Sequence, residues 1–374
     1  MRIRSKIAFF TLVLLTSTMW DSGRLKAQPS THPASKSIVL GLLLEDSTMV
    51  EARYGAQFAV NEINRNGGIE NKQIVLSVKS MEGPWGVGSK KAVDLVFDQK
   101  AWALIGLLNG RNSHLVEQVA AKTDIPFVSA WAADPTLSKA YVPQFFNCVP
   151  NSEQQGRAIL NDLLEKHKSE EWILVSDENY DSQIAVESLK KLDDFHKNPA
   201  SDELKCNSSE DFDALIQKIS EKNPKALVVY CKPELSLDLI RFLRVRGVRL
   251  PVYSSLSLLD ERTYSRLVSD YFEEVYFFDY GTWMTDRDSD FVRQFHNEYG
   301  RDPGAMAANA YDAIQILAQA LVKSDSDPKK LKQSLSKTSY KGKTGTIEFD
   351  RFGNRKSTLP PVVVSSKRLY ASKP

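Results

Sequence analysis

The sequence predicts an α/β protein of two βα lobes with mainly parallel sheets. Three observations carry that expectation. From Ser37 onward, short and wholly apolar runs alternate with longer amphipathic segments about ten times. The runs read as unbroken hydrophobic stretches, the signature of strands buried on both faces in a sheet covered by helices. The same rhythm fills both halves of the 374-residue chain, which is long enough for two domains of ordinary size. Open α/β sheets bind ligands at the carboxyl ends of their strands, so the loops that follow strands are where function is to be sought.

In the first half the apolar runs 38–44, 74–78, 103–108 and 126–130 read as strands. Between the first two, residues 50–65 carry Tyr54, Phe58, Ala59 and Ile63 at helical spacing. That helix closes on Gly67-Gly68, since glycine tolerates the left-handed geometry of a helix end. A helix over 87–98 follows the second strand. A polar loop after the third leads to a helix ending near Lys122, and 145–149 reads as the strand that leaves the lobe. The second half repeats the pattern: helix 152–167, strand 172–175, helix 182–193, a short strand around Leu204, helix 210–222, strand 226–230, helix 235–246 and strands 251–254 and 274–278. Further on, 290–299 and 306–323 read as helices, and Pro328 opens another, where its missing N–H does no harm. Residues 345–349, a turn over 351–354 and residues 361–364 suggest a closing hairpin.

The chain begins as an exported one would. Arg2, Arg4 and Lys6 precede an apolar core over 7–15 that is too short to span a bilayer, and Leu25-Lys26-Ala27 offers a cleavage point. Residues 1–27 are expected to be a signal peptide and 28–36 a disordered start. No later stretch reaches the roughly 20 apolar residues of a membrane helix. The expectation is a soluble protein, periplasmic or secreted. The net charge of +2 is misleading, because without the leader 44 basic residues face 46 acidic ones. There is no basic excess for nucleic acid. Cys148, Cys206 and Cys231 are odd in number and far apart, so neither a disulfide framework nor a zinc site is read from them. Cys148 and Cys231, within apolar runs, read as buried thiols.

No catalytic constellation is evident. Gly83-Pro84-Trp85-Gly86-Val87-Gly88-Ser89-Lys90 imitates a phosphate-binding loop, but its Lys and Ser stand in the wrong order. G-x-S-x-G, H-E-x-x-H and C-x-x-C patterns are missing, and the five histidines are scattered. His114, beside a strand-end loop, reads as a surface residue. No enzyme activity, cofactor or metal is expected.

Four motifs in order carry a family resemblance. Residues 61–69 (NEINRNGGI) resemble the "INxxGGI" end of the first helix in type I periplasmic binding proteins. Leu104-Ile105-Gly106 to Ser113 is similar to their "xIGxxxS" segment, and residues 127–137 to their "xPxISxxATxPxLT" stretch. Residues 344–355 (TGTIEFDRFGNR) are close to their "GxxxFDxxGNR" hairpin. The resemblance covers residues 37–368 and points to the leucine/isoleucine/valine-binding branch of ABC transporter substrate-binding proteins. It implies two α/β lobes joined by a three-segment hinge, closing on a small-molecule ligand and presented to an ABC permease, in a monomer. Lobe one would be 37–149 plus 281–343, and lobe two 150–280 plus 344–374.

Carried onto this chain, the resemblance and the strand-end rule place ligand contacts on the same loops. Asn109, Gly110, Arg111, Asn112 and Ser113 open a helix whose free N–H groups and positive end suit a carboxylate. Asn112 and Ser113 either meet the ligand or only cap the helix. Arg111 is either an oxyanion fork or a solvated charge. In the next loop, Trp131, Ala132 and Ala133 supply backbone groups and one ring, which either stacks on a ligand or packs between lobes. Across the cleft the resemblance implies Tyr180, with Cys231 and Leu256 ending later strands. Amino-acid binders carry an acidic side chain near Leu256, to pair with the ligand ammonium; this chain departs from them there. Asp260 stands four residues late; Asp279 or Asp177 could substitute. Trp85 would lie at the rim. The function implied is capture of a small polar or anionic solute (amino-acid-like, carboxylate or amide) for an ABC importer. A sensing receptor subunit of the same fold is the alternative, and a two-lobe sugar transferase is a third reading.

Overall fold

The computed structural model describes residues 37–84, 86–167, 171–268, 272–278, 281–284, 286, 288–356 and 363–365. The expected leader and disordered start, Trp85, Asp279 and the end of the chain after Ser365 lie outside them.

In the first lobe, chain order runs β1 (Ser37–Leu44), α1 (Val50–Arg65), β2 (Gln73–Ser80), α2 (Val87–Phe97), β3 (Ala103–Leu107), α3 (Gly110–Thr123), β4 (Phe127–Ser129), α4 (Thr136–Lys139) and β5 (Phe145–Asn147). The five strands form a parallel sheet in the order β2-β1-β3-β4-β5. Central β3 is buried at every position, because helices cover both faces. β2, at the edge, leaves Val75 exposed.

The second lobe comprises α5 (Ser152–His167), β6 (Trp172–Ser176), α6 (Tyr180–Lys190), α7 (Asp193–Lys197), β7 (Asp202–Lys205), α8 (Phe212–Lys222), β8 (Ala226–Tyr230), α9 (Pro233–Val245), β9 (Val252–Ser254), α10 (Glu261–Tyr264) and β10 (Val275–Phe278). Then follow α11 (Asp290–Tyr299), α12 (Ala305–Lys323), α13 (Pro328–Ser336), β11 (Tyr340–Gly342), β12 (Gly345–Ile347) and β13 (Val363–Ser365). The second sheet has the order β13-β10-β9-β8-β6-β7 and is parallel except for β13.

α12 is rich in alanine and buried along most of its length. It returns to the first lobe and lies along α1, where Gly55 lets the two backbones touch. The chain passes between the lobes three times: through Cys148 to Asn151 between β5 and α5, again between β10 and α11, and again between β12 and β13. The first and third are tied together. Arg355 donates to the carbonyls of Cys148 at 2.8 Å and Thr344 at 2.6 Å, and Asn147 N–H donates to Gly353 O at 2.7 Å.

The expected closing hairpin is corrected. The turn over 351–354 exists, bridged by Phe349 and Arg355. β12, however, pairs with β11 through a tight turn at Lys343-Thr344, and β13 crosses to pair antiparallel with β10. The expected helix 182–193 is also two helices, broken at Lys191-Leu192. All three cysteines are buried and free.

Candidate functional site

A cleft of about 400 Å³ opens between the carboxyl ends of the two sheets. The first lobe lines it with Glu45 and Met49 after β1, Leu108 and Asn109 after β3, and Trp131, Ala133 and Asp134 after β4. The second lobe contributes Asn179, Asp181 and Ser182 after β6, Cys231 and Lys232 after β8, and Ser255, Leu256 and Ser257 after β9. Ser152 and Gln155 of α5 and Met306 of α12 complete the wall. The volume suits a molecule the size of an amino acid, at the lower end of the usual range for small-molecule pockets.

Of the residues expected from sequence, the structure brings Asn109, Trp131, Ala133, Cys231 and Leu256 together on this wall. The others stand behind it or beside it. The donors at the start of α3, expected to be free for an anion, are already engaged. Asn109 N–H donates to Glu45 Oε2 at 3.0 Å, and Gly110 N–H donates to Asp181 Oδ1 at 3.0 Å. Asn109 also caps α3, accepting from Asn112 N–H at 2.8 Å, while the Asn112 amide donates to Glu45 at 2.8 Å. Ser113 is fully buried, and its Oγ finds no partner among the described residues. Ala132 is buried with its carbonyl accepting from Asn147 at 3.0 Å.

Arg111 is exposed and stands over the Tyr180 ring, 5.5 Å from its centroid. Tyr180 in turn donates its hydroxyl across the cleft to Asp134 Oδ2 at 2.8 Å. These two side chains join lobe to lobe outside the cavity wall, a placement fixed by how the lobes meet and so invisible in the order of residues.

Sequence reasoning missed Glu45, Asp181 and Arg262, all on the wall. Glu45 immediately follows β1, so the strand-end rule applied to the first strand would have found it. Asp181 adjoins Tyr180. Arg262 carries no such signal. It grips Asp260 with Nε at 2.7 Å and Nη2 at 2.8 Å, so this acid, four residues past Leu256, already has a cation.

Electrostatics separate the acids. Burial pushes the Asp181 carboxyl up to about 6, against the Gly110 N–H and with help from Asp134 and Glu45. Burial also raises Glu45, although Asn109 and Asn112 oppose it. Burial would raise Asp134 too, but hydrogen bonds from His114, Thr136 and Tyr180 hold it below its ordinary value. Bonds to Asp134 and Glu117 push His114 up to about 9. Among the described residues no group of three or more His, Cys, Asp and Glu side chains converges as a metal cage, and no helix is long and apolar enough to cross a membrane.

Two hinged α/β lobes facing one cavity at their strand ends are the architecture of a solute-binding protein. The family described as Periplasmic binding protein matches residues 44–360. The Leu/Ile/Val-binding protein homolog 1 of Brucella abortus (strain 2308) is 26% identical over 321 residues, covering 83% of each chain. Among solved structures, LivJ of Streptococcus pneumoniae in complex with isoleucine superposes with a TM-score of 0.75 at 23% identity, covering 85% of this chain and 93% of that one. A solute-binding protein of an ABC transporter from R. palustris, in complex with benzoate, gives a TM-score of 0.73 at 16% identity, covering 88% and 96%. The chain belongs to the periplasmic binding protein family, in its leucine/isoleucine/valine-binding branch.

Proposed function

We propose that this is an exported solute-binding protein that closes over one small polar molecule and delivers it to an ABC importer. The observation that carries the reading is the cavity itself. Its wall is drawn from strand-end loops of both lobes, and bonds across it, Gly110 to Asp181 and Tyr180 to Asp134, exist only with the lobes shut. A molecule that touches both lobes gains contacts only in that state, and so shifts the population toward it. Trp131 and Leu256 offer apolar contact, while Ser152, Gln155, Ser255 and Ser257 offer hydrogen bonds. The family relatives, named for branched-chain amino acids and solved with isoleucine or benzoate, set the size of ligand to try first. A purely anionic ligand is not carried forward as the favoured class, because Glu45 and Asp181 already take the α3 donors meant for it.

The test is a thermal-melting panel of amino acids, short carboxylates, amides and aromatic acids. A ligand in excess over its Kd raises Tm by mass action, and it should be recovered chemically unchanged. Trp131→Ala should weaken the hit by about 1–3 kcal/mol. A panel without a hit, or a hit consumed during incubation, would remove the proposal; equal affinity in Trp131→Ala would move the site elsewhere.

A further inference from the structure

The closed cleft brings two carboxylates from opposite lobes onto one turn of backbone. Glu45, past the end of β1, accepts the N–H of Asn109, and Asp181, in the first turn of α6, accepts the N–H of Gly110, both at 3.0 Å. Consecutive residues lie about 3.8 Å apart along the chain, so the two acids are neighbours. The other acids of the wall have cationic partners. His114 stands 3.2 Å from Asp134, and Arg262 serves Asp260 at 2.7 Å and Glu234 at 3.3 Å.

Glu45 and Asp181 have no ion pair among the described residues, and Asp181 Oδ2 accepts no hydrogen bond there. Arg111 and Arg262 act on them only at a distance: Arg111 lies over the Tyr180 ring and Arg262 is paired with Asp260, and neither forms an ion pair with Glu45 or Asp181. Like charges withdrawn from water without a paired counter-ion are costly, and they oppose closure. A cation set between them reverses that penalty, and does so only when the lobes are shut, because each lobe supplies one carboxylate.

We infer that the ligand carries a positively charged group, an ammonium or amidinium, seated between Glu45 and Asp181. The inference rests on the binding role proposed above and names the charge of the ligand. It also supplies a reason for the missing acid at Leu256: here the cation is met at the other side of the cleft. Burial raises both carboxyls, and Glu45 adds to the displacement of Asp181.

Titration calorimetry at neutral pH decides it, with putrescine, agmatine and lysine as cationic probes and isobutyramide and benzoate as probes without positive charge. At least one cationic probe should bind one to one and ahead of both others. Asp181→Asn and Glu45→Gln should each weaken it about thirtyfold or more, the effect of removing one partner of a buried charge pair. Tm without ligand should hold or rise in both variants, since repulsion is relieved, which separates lost binding from lost folding. Affinity should also fall below about pH 6 as Asp181, facing Glu45, Asp134 and Arg111, takes up a proton. Isobutyramide or benzoate binding ahead of every cation, or a cation binding unchanged in both variants, overturns the charge assignment and leaves the binding role standing. Failure of all three cations overturns it as well, while the broader melting panel judges the binding role independently.

Discussion

His114 shows what a single residue gains from its surroundings. From the sequence it reads as a surface side chain. In the structure Nδ1 faces Glu117 Oε2 and Nε2 faces Asp134 Oδ2, each at 3.2 Å, and Asp134 also receives the Tyr180 hydroxyl from the other lobe. The imidazolium is therefore the counter-charge that lets Asp134 stay ionised within the cleft. With its pKa raised from 6.5 to about 9, the stabilisation from this group is complete below about pH 6.5 and is lost as pH rises through about 9. His114→Gln should accordingly lower Tm most at about pH 6, with the difference from wild type shrinking toward about pH 9. A difference that stays constant across melts in that range would show that the ring is not protonated in the folded protein. Trp131 and Asn109 could be found from sequence because each directly follows a strand, and strand ends meet the cleft in any such sheet. The roles of Tyr180, Arg111 and Asp181 could not, because their partners lie on the opposite lobe.

At the scale of elements, legibility followed burial. β3, β6 and β8 are buried at every position and end within a residue of where the pattern places them; α1 and α5 match at both ends. β11 and β13 went unrecognised or were wrongly paired, since three-residue strands carry no period of their own and depend on the partner that tertiary structure brings. The meeting of α1 with α12, some 250 residues apart, was equally unreadable, yet one position makes it testable. A Cβ on Gly55 would lie 2.1 Å from Ala307 O and 2.6 Å from Ala307 Cα, and backbone in a helix cannot step aside as a side chain can. Gly55→Ala improves helix propensity, so propensity alone predicts a more stable protein. Packing should win: the variant should lose about 1–3 kcal/mol or more, read from the urea midpoint. A midpoint equal to or above wild type would show that α1 and α12 part at little expense.

For the whole molecule the question is what keeps two lobes as one hinged body. Arg355 answers it from the third crossing segment. Its guanidinium is buried and donates to Cys148 O on the first segment and to Thr344 O and Thr346 O at β12 and the turn before it. Asp312 of α12 completes the joint by accepting from the N–H groups of Lys343 and Thr344. Asn151 and Gln154 add bonds to Asn354 and to the Arg355 carbonyl at 3.2 and 3.0 Å. The residues 344–355 that carried the sequence resemblance are thus the tie of the hinge rather than part of the cavity wall. Arg355→Met keeps most of the side-chain volume and removes every donor. It leaves buried carbonyls without partners, at about 1–3 kcal/mol for each orphaned group, and removes the cation opposite Asp312, whose carboxyl burial already raises. The variant should therefore melt earlier, and amide exchange at Lys343 and Thr344 should accelerate more than in the strands of either sheet. Exchange that quickens equally everywhere would mean that Arg355 supports the fold at large and not the joint between its lobes.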